Sequence, residues 1–314
     1  MPEHASITQL LPGFLEYMVA ERHFQPTTVQ LYRKGVAYFV RLVADLPVQR
    51  ISLQDFISLK SAMIKRGVSE QRIAGIINAM KCFLVYARDV HRLSVLDLSS
   101  VKAPRAPRRQ VTYLTGDELQ QFCAAIPLRN WRGEPRLTGY CFLALVETLA
   151  ATGIRISEAL ALNRDSINLE TKETMIIGKR RKQRKIYFTT RALESLKTYL
   201  KLRKDSSPAL FAGKTGKRLT IAWAEEMFRR HTRIAASPKR ITPHIIRHTM
   251  ATNLLRNGCP IGFIKEILGH EHLETTCRYY LGILTQADVK NAHAAYADFV
   301  RPDIAAPPVS TGTR

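Results

Sequence analysis

Negative charge is what this sequence has least of: its 314 residues carry 26 Asp and Glu against 48 Lys and Arg, a formal net charge of +22 at pH 7. Long apolar runs are missing too. The most apolar stretch, YCFLALVETLAATGI, is interrupted by Glu147, and no segment approaches the roughly 18 uncharged apolar residues that a membrane span needs. The beginning, MPEHASITQLLPG, lacks a basic region followed by a long apolar core, so no signal peptide is expected. Cysteines are few and unpatterned, at 82, 123, 141, 259 and 277, with no CxxC pair. That excludes a disulfide framework and fits reduced thiols in a cytoplasmic protein. Most are expected to be small core residues. Cys277 alone, two residues before Tyr279, has a reactive alternative. The alternating histidines of HEH at 270–272 have no third ligand cluster beside them, and HExxH does not occur. Neither a metal nor a cofactor is expected.

The excess of cations points to a polyanion as partner. Nucleic acid is favoured over a membrane surface, because the basic residues are not gathered on one short amphipathic helix.

Residues 6–92 carry helical periodicity throughout. QPTTVQLYRKGVAYFVRLVADL places Val29, Tyr32, Val36, Phe39, Val40 and Val43 on one stripe, and SEQRIAGIINAMKCFLVYARDVH repeats the pattern with Ile73, Ile76, Ile77, Met80, Phe83, Leu84 and Ala87. Together with ITQLLPGFLEYMVAERHF and SLQDFISLKSAMIKRG this predicts a compact bundle of four helices with no strands over residues 1–92. Basic residues such as Arg33, Lys34, Lys65, Arg66, Arg72, Lys81 and Arg88 punctuate its polar faces. Pro104 and Pro107 then sit among cations in SSVKAPRAPRRQ, which reads as an extended basic linker over 93–110. A second, mixed domain is expected over 111–300. It holds a buried helix at TGYCFLALVETLAATG, a two-stranded hairpin at TMIIGKRRKQRKIYFT, and further helices bounded by Pro and Gly. The tail 301–314, RPDIAAPPVSTGTR, reads as disordered.

Four segments of the second domain carry chemistry. In ATGIRISEAL, Gly153 ends a helix and Arg155 follows at once. In IIGKRRKQRKIYF, a turn this basic is electrostatically costly unless an anion meets it, and Lys179 opens the turn. In TPHIIRHTMATNLLRNG, Thr242 suits an N-cap, Pro243 the first helical position and Gly258 the C-terminal stop. His244 and Arg247 lie three apart and so share a helical face, with His248 beside His244. In LGHEHLETTCRYY, Gly269 stops a helix, His270 follows, and Tyr279 and Tyr280 lie on the next one. Arginines pair bidentately with phosphate oxygens, a tyrosine can attack phosphorus, and lysine and histidine can move the protons.

These boxes, in this order and spacing, resemble those of the tyrosine recombinases, the lambda-integrase family. ATGIRISEAL is similar to its first-arginine box, HIIRHTMATNLL to its HxxR box and LGHEHLETTCRYY to its LGH…TTxxY box. The resemblance extends over roughly residues 6–300 and is greatest to the simple Xer-like and integrase-like members. It implies a mainly α protein: an N-terminal helical, SAM-like, core-DNA-binding domain, then a mostly helical α/β catalytic domain with a small antiparallel sheet. It implies a nucleophile nine residues after His270, hence Tyr279, with Arg155 and Arg247 clamping the scissile phosphate. Lys179 would be the general acid, His244 would assist at the tyrosine and His270 would bond the phosphate. Gly178-Lys179-Arg180 stands where the family often has Gly-Lys-Gly, which leaves Lys182 as a rival for the acid.

The implied reaction is site-specific recombination through a 3′-phosphotyrosyl intermediate, needing neither metal nor ATP. The implied partners are double-stranded DNA with paired inverted core sites and a homo- or hetero-tetramer on that DNA. Val289, Ala292, Tyr296 and Phe299 have helical spacing; the resemblance implies a helix that docks on a neighbouring subunit, with packing on its own domain as the alternative. Two other readings use the same residues: a topoisomerase-like activity of type IB without strand exchange, and a DNA-binding regulator that keeps the fold without cleavage.

Overall fold

The structure, a computed structural model, describes residues 5–104, 112–178 and 183–280, with the single positions 286, 290, 293 and 294 beyond them. The chain divides into two compact units, Met1–Arg109 and Gln110–Arg314.

The first unit is a helical bundle of α1 (Ile7–Ala20), α2 (Pro26–Leu42), α3 (Leu53–Lys65) and α4 (Glu70–His91), with one 3₁₀ turn at Val48–Arg50. Local chemistry sets the starts. Ser6 and Gln9 form a reciprocal capping box on α1, Ser52 and Asp55 one on α3, and Pro26 opens α2. The apolar stripes close on one core of Phe14, Val36, Phe39, Phe56, Met63, Ile77 and Phe83, with Phe14 and Phe83 edge to face at 5.4 Å. Gly35 lets α2 and α4 approach, since a Cβ there would lie 2.7 Å from the Ala79 Cβ. Beyond α4, residues 93–104 have no helix or strand, yet Val101 is buried in this core and Leu93, Val95, Leu96 and Leu98 pack against it. The apolar side chains in this stretch anchor it to the first unit. The rest of the Pro-containing linker, 105–111, lies outside the described residues, as does the tail 301–314.

The second unit is mainly helical with one small antiparallel sheet. Its order is α5 (Gly116–Ala124), α6 (Leu137–Thr152), α7 (Ile156–Ala161), β1 (Glu173–Ile177), β2 (Gln183–Tyr187), α8 (Thr190–Lys201), α9 (Ile221–Ile234), α10 (Pro243–Arg256), α11 (Ile261–Leu268) and α12 (Leu273–Tyr280). Helix α6 is apolar on nearly every side, with Cys141, Phe142, Ala144, Leu145, Val146 and Leu149 all buried, as expected of a helix central to its unit. It packs against α8, α10 and β2. The strands pair Thr174 with Ile186 and Ile176 with Arg184. Ile176 and Ile186 are buried while Met175, Ile177 and Tyr187 face outward, the period-2 alternation of a half-buried hairpin. Four element ends meet: the C-terminus of α6, the start of α7, the C-terminus of α11 and, through Arg184, the start of β2.

Candidate active site

Arg155 is fixed by the break that precedes it. Gly153 adopts φ +61° at the C-terminus of α6, where a Cβ would meet the Met250 Sδ at 3.1 Å, so glycine fits on both counts. The chain turns through buried Ile154, and Arg155 becomes the N-cap of α7. A cation is disfavoured at a helix N-terminus, and Glu158 answers it. Its Oε2 accepts the Arg155 backbone N–H at 2.8 Å, and its Oε1 accepts Arg155 Nη1 at 3.0 Å. The same carboxylate accepts Arg184 Nη1 at 3.2 Å and Nη2 at 2.9 Å. Burial acts to raise the Glu158 pKa, but the bonds from Arg184 and the Arg155 backbone, with both guanidinium charges, outweigh it and hold the carboxyl below its ordinary value. The two arginines differ in access: the Arg155 side chain is 34% exposed, that of Arg184 12%.

Arg247 projects from α10, whose start has the expected chemistry: Thr242 Oγ1 accepts the Ile245 N–H at 3.3 Å and Pro243 occupies the first turn. Its side chain is buried, and it donates Nη1 to the Gly153 carbonyl and Nη2 to the Leu268 carbonyl at 2.6 Å. Both acceptors lie at helix C-termini, the ends that favour a cation. Arg247 therefore ties the turn before Arg155 to the turn before His270.

His270 follows Gly269, which ends α11 at φ +63°. Its Nδ1 lies 2.8 Å from the Oγ1 of buried Thr276 on α12. Burial, then Arg247, Arg155, His248 and Arg184, push its pKa down to about 4. His248 is likewise lowered to about 4 by burial, His244 and Arg247. Both imidazoles are thus neutral at pH 7 and can accept or donate one hydrogen bond on each nitrogen. His244 is exposed, in the first turn of α10.

Arg155, Arg247 and His270 are thus held in one network, with His244 a turn away from Arg247 on α10. Lys179 and its rival Lys182 lie outside the described residues. Tyr279 and Tyr280 close α12, three and four residues after Thr276; their side chains lie outside the described set. Sequence reasoning missed Glu158 and Arg184. Signals for both were present. Glu158 stands three residues after a residue at a helix start, the position from which a glutamate reaches back to the N-cap N–H. Arg184 shares the inward face of its strand with Ile186.

Comparison with known proteins identifies the family. Residues 112–285 match the phage integrase family model. The chain is 29% identical over 301 residues to the tyrosine recombinase XerD of Mycobacterium leprae, covering 88% of this chain and 93% of that one. It is 27% identical over 276 residues to the tyrosine recombinase XerC of Alcanivorax borkumensis, covering 86% and 88%. It shares its fold with a lambda integrase solved as a tetramer bound to a Holliday junction: TM-score 0.73, 15% identity, 89% of this chain and 78% of that chain. Family match, fold and relatives define a tyrosine site-specific recombinase of the Xer and integrase type. The chain belongs to the phage integrase family.

Proposed function

We propose that this recombinase cleaves each DNA strand through Tyr279. The tyrosine oxygen attacks the scissile phosphorus, a 3′-phosphotyrosyl bond forms, and the P–O bond to the 5′ oxygen breaks. Arg155 and Arg247 bind the non-bridging oxygens, His270 donates to one of them, and His244 receives the tyrosine proton. Lys179 protonates the departing 5′ oxygen, with Lys182 as the alternative donor. The covalent bond conserves the energy of the phosphodiester, so the freed 5′-hydroxyl of a partner strand can reverse the attack without ATP, metal or other cofactor. The observation that carries this reading is the direct bond from Arg247 to the Gly153 carbonyl, two residues before Arg155, beside a His270 whose pKa both arginines help to lower.

The N-terminal helical unit would grip core DNA and the basic linker would follow its phosphates, in keeping with the net charge of +22. The substrate would be duplex DNA with paired inverted core sites, met in the cytoplasm. None of the described helices is long and apolar enough to cross a membrane. Assembly on that DNA would be tetrameric, as in the lambda integrase complex, with the segment containing Val289, Ala292, Tyr296 and Phe299 docking on a neighbour. A chain truncated after Leu284 should then lose DNA-driven assembly in gel filtration; retained assembly would remove the docking role. Strand exchange separates the reading from its rivals. Two labelled duplexes carrying the site should yield recombinant product. Relaxation of supercoils without product would leave a topoisomerase, and tight binding without either would leave a regulator.

A further inference from the structure

Three charged side chains of the site sit where a structural explanation alone is incomplete. Glu158 is buried, and its two oxygens take hydrogen bonds from two different arginines. The pair with Arg184 is the more enclosed, at 12% and 7% side-chain exposure. Arg184 is also pressed against the α11–α12 turn: a Cβ on Gly269 would lie 2.7 Å from its Cζ, 2.8 Å from Nη1 and 2.9 Å from Nε. Its guanidinium is therefore wedged between Glu158 and the residue that precedes His270. It cannot swing out to a DNA phosphate without vacating that space. Arg155, at 34% exposure, can reach one.

The charges make the arrangement functional. Glu158 alone with Arg155 would form a closed pair of net charge zero. A carboxylate can take an arginine through two parallel bonds, and an arginine so engaged offers little to an incoming anion. With Arg184 present the triad carries one net positive charge. Arg184 takes both carboxylate oxygens, and Arg155 is left holding Glu158 through a single side-chain bond at 3.0 Å.

We infer that Arg184 is a positioning residue for strand cleavage: it occupies Glu158 so that the Arg155 guanidinium stays available to the scissile phosphate. This rests on the assignment of Arg155 as a phosphate ligand. Arg184 itself touches no substrate.

The test uses full-length protein and a nicked duplex carrying its recombination site, and measures single-turnover formation of the covalent protein–DNA adduct. Duplex affinity and melting temperature are followed in parallel. Arg184→Met fills the space beneath Gly269 but removes the charge. It should slow adduct formation about 10- to 100-fold, less than the 10²–10³ expected for losing a preorganised donor outright, with affinity for the duplex little changed. Adding Glu158→Gln restores the net positive charge and releases Arg155, so Arg184→Met/Glu158→Gln should recover to within a few-fold of wild type. Arg184→Lys keeps the charge and should stay within about five-fold; it carries the test if the methionine variant does not fold. A double variant as slow as Arg184→Met, or a lysine variant as slow, would overturn the inference and leave Arg184 a packing residue. A wild-type protein that forms no adduct would instead remove the functional reading, and this inference with it.

Discussion

Arg247 donates to the carbonyl oxygen of Gly153, a residue 94 positions away in sequence and two before Arg155. One bond thereby sets the spacing between the two arginines of the site. It runs from a buried guanidinium to the C-terminus of α6, and the second bond, to Leu268, fixes the turn that carries His270. In the proposed assignment, geometry at the phosphate is built into the packing of three helices.

Replacing Arg155 with lysine keeps a charge but loses the planar fork. Adduct formation should fall on the order of 10²–10³-fold, as for loss of one preorganised donor. Single-turnover cleavage of a nicked duplex measures it, and a rate near wild type would refute the clamp.

Lys179→Ala should cost about 10²–10⁴-fold in cleavage if Lys179 is the general acid. A substrate with a better leaving group at the 5′ position, such as a bridging sulfur, should recover most of that loss. If it does not, and Lys182→Ala is the variant recovered, the acid is Lys182.

Gly269→Ala should destabilise the second unit by at least ~1–2 kcal/mol. The residue has φ +63°, where a side chain costs about that much, and the new methyl would displace the Arg184 guanidinium. Thermal melting checks the first effect, and the cleavage rate, expected to fall with it, checks the second. An unaltered melting temperature would contradict the left-handed backbone at Gly269, and an unaltered cleavage rate would mean that Arg184 does not occupy the space beneath the turn.

His248 and His270 are each lowered to about 4 in the folded protein, against 6.5 for a free histidine. Between those values the unfolded chain binds more protons than the folded one, so stability is fully present above about pH 6.5. It declines as the pH falls toward 4. The groups responsible for the lowering, beyond burial, are His244 and Arg247 at His248, and Arg247, Arg155, His248 and Arg184 at His270. Melting temperature against pH should therefore slope downward on acidification, and less steeply in His248→Gln. Equal slopes would contradict the assignment.

Most of the fold was legible in the sequence because it is written in local terms. The stripes of α2 and α4, the Thr242-Pro243 start of α10 and the glycines at 153, 258 and 269 each follow from a residue and its near neighbours. The site was legible only through the order of its boxes. Arg155, Arg247 and His270 could be named, but not the carbonyls that hold Arg247, since acceptors on a backbone leave no mark in the sequence. Arg184 was lost among the cations of KRRKQRK, where composition suggested a solvated turn. Strand alternation, with Ile186 two residues on, was the signal that set it apart.

The most direct test of the proposed chemistry is covalent trapping. Purified protein is incubated without metal with nicked duplexes from around its own gene, and SDS-resistant protein–DNA adducts are compared for wild type, Tyr279→Phe and Tyr280→Phe. Adducts in wild type and Tyr280→Phe but none in Tyr279→Phe are expected. An adduct that disappears only in Tyr280→Phe would place the nucleophile one residue on. No adduct from any variant, on DNA that the protein binds tightly, would contradict cleavage through a tyrosine.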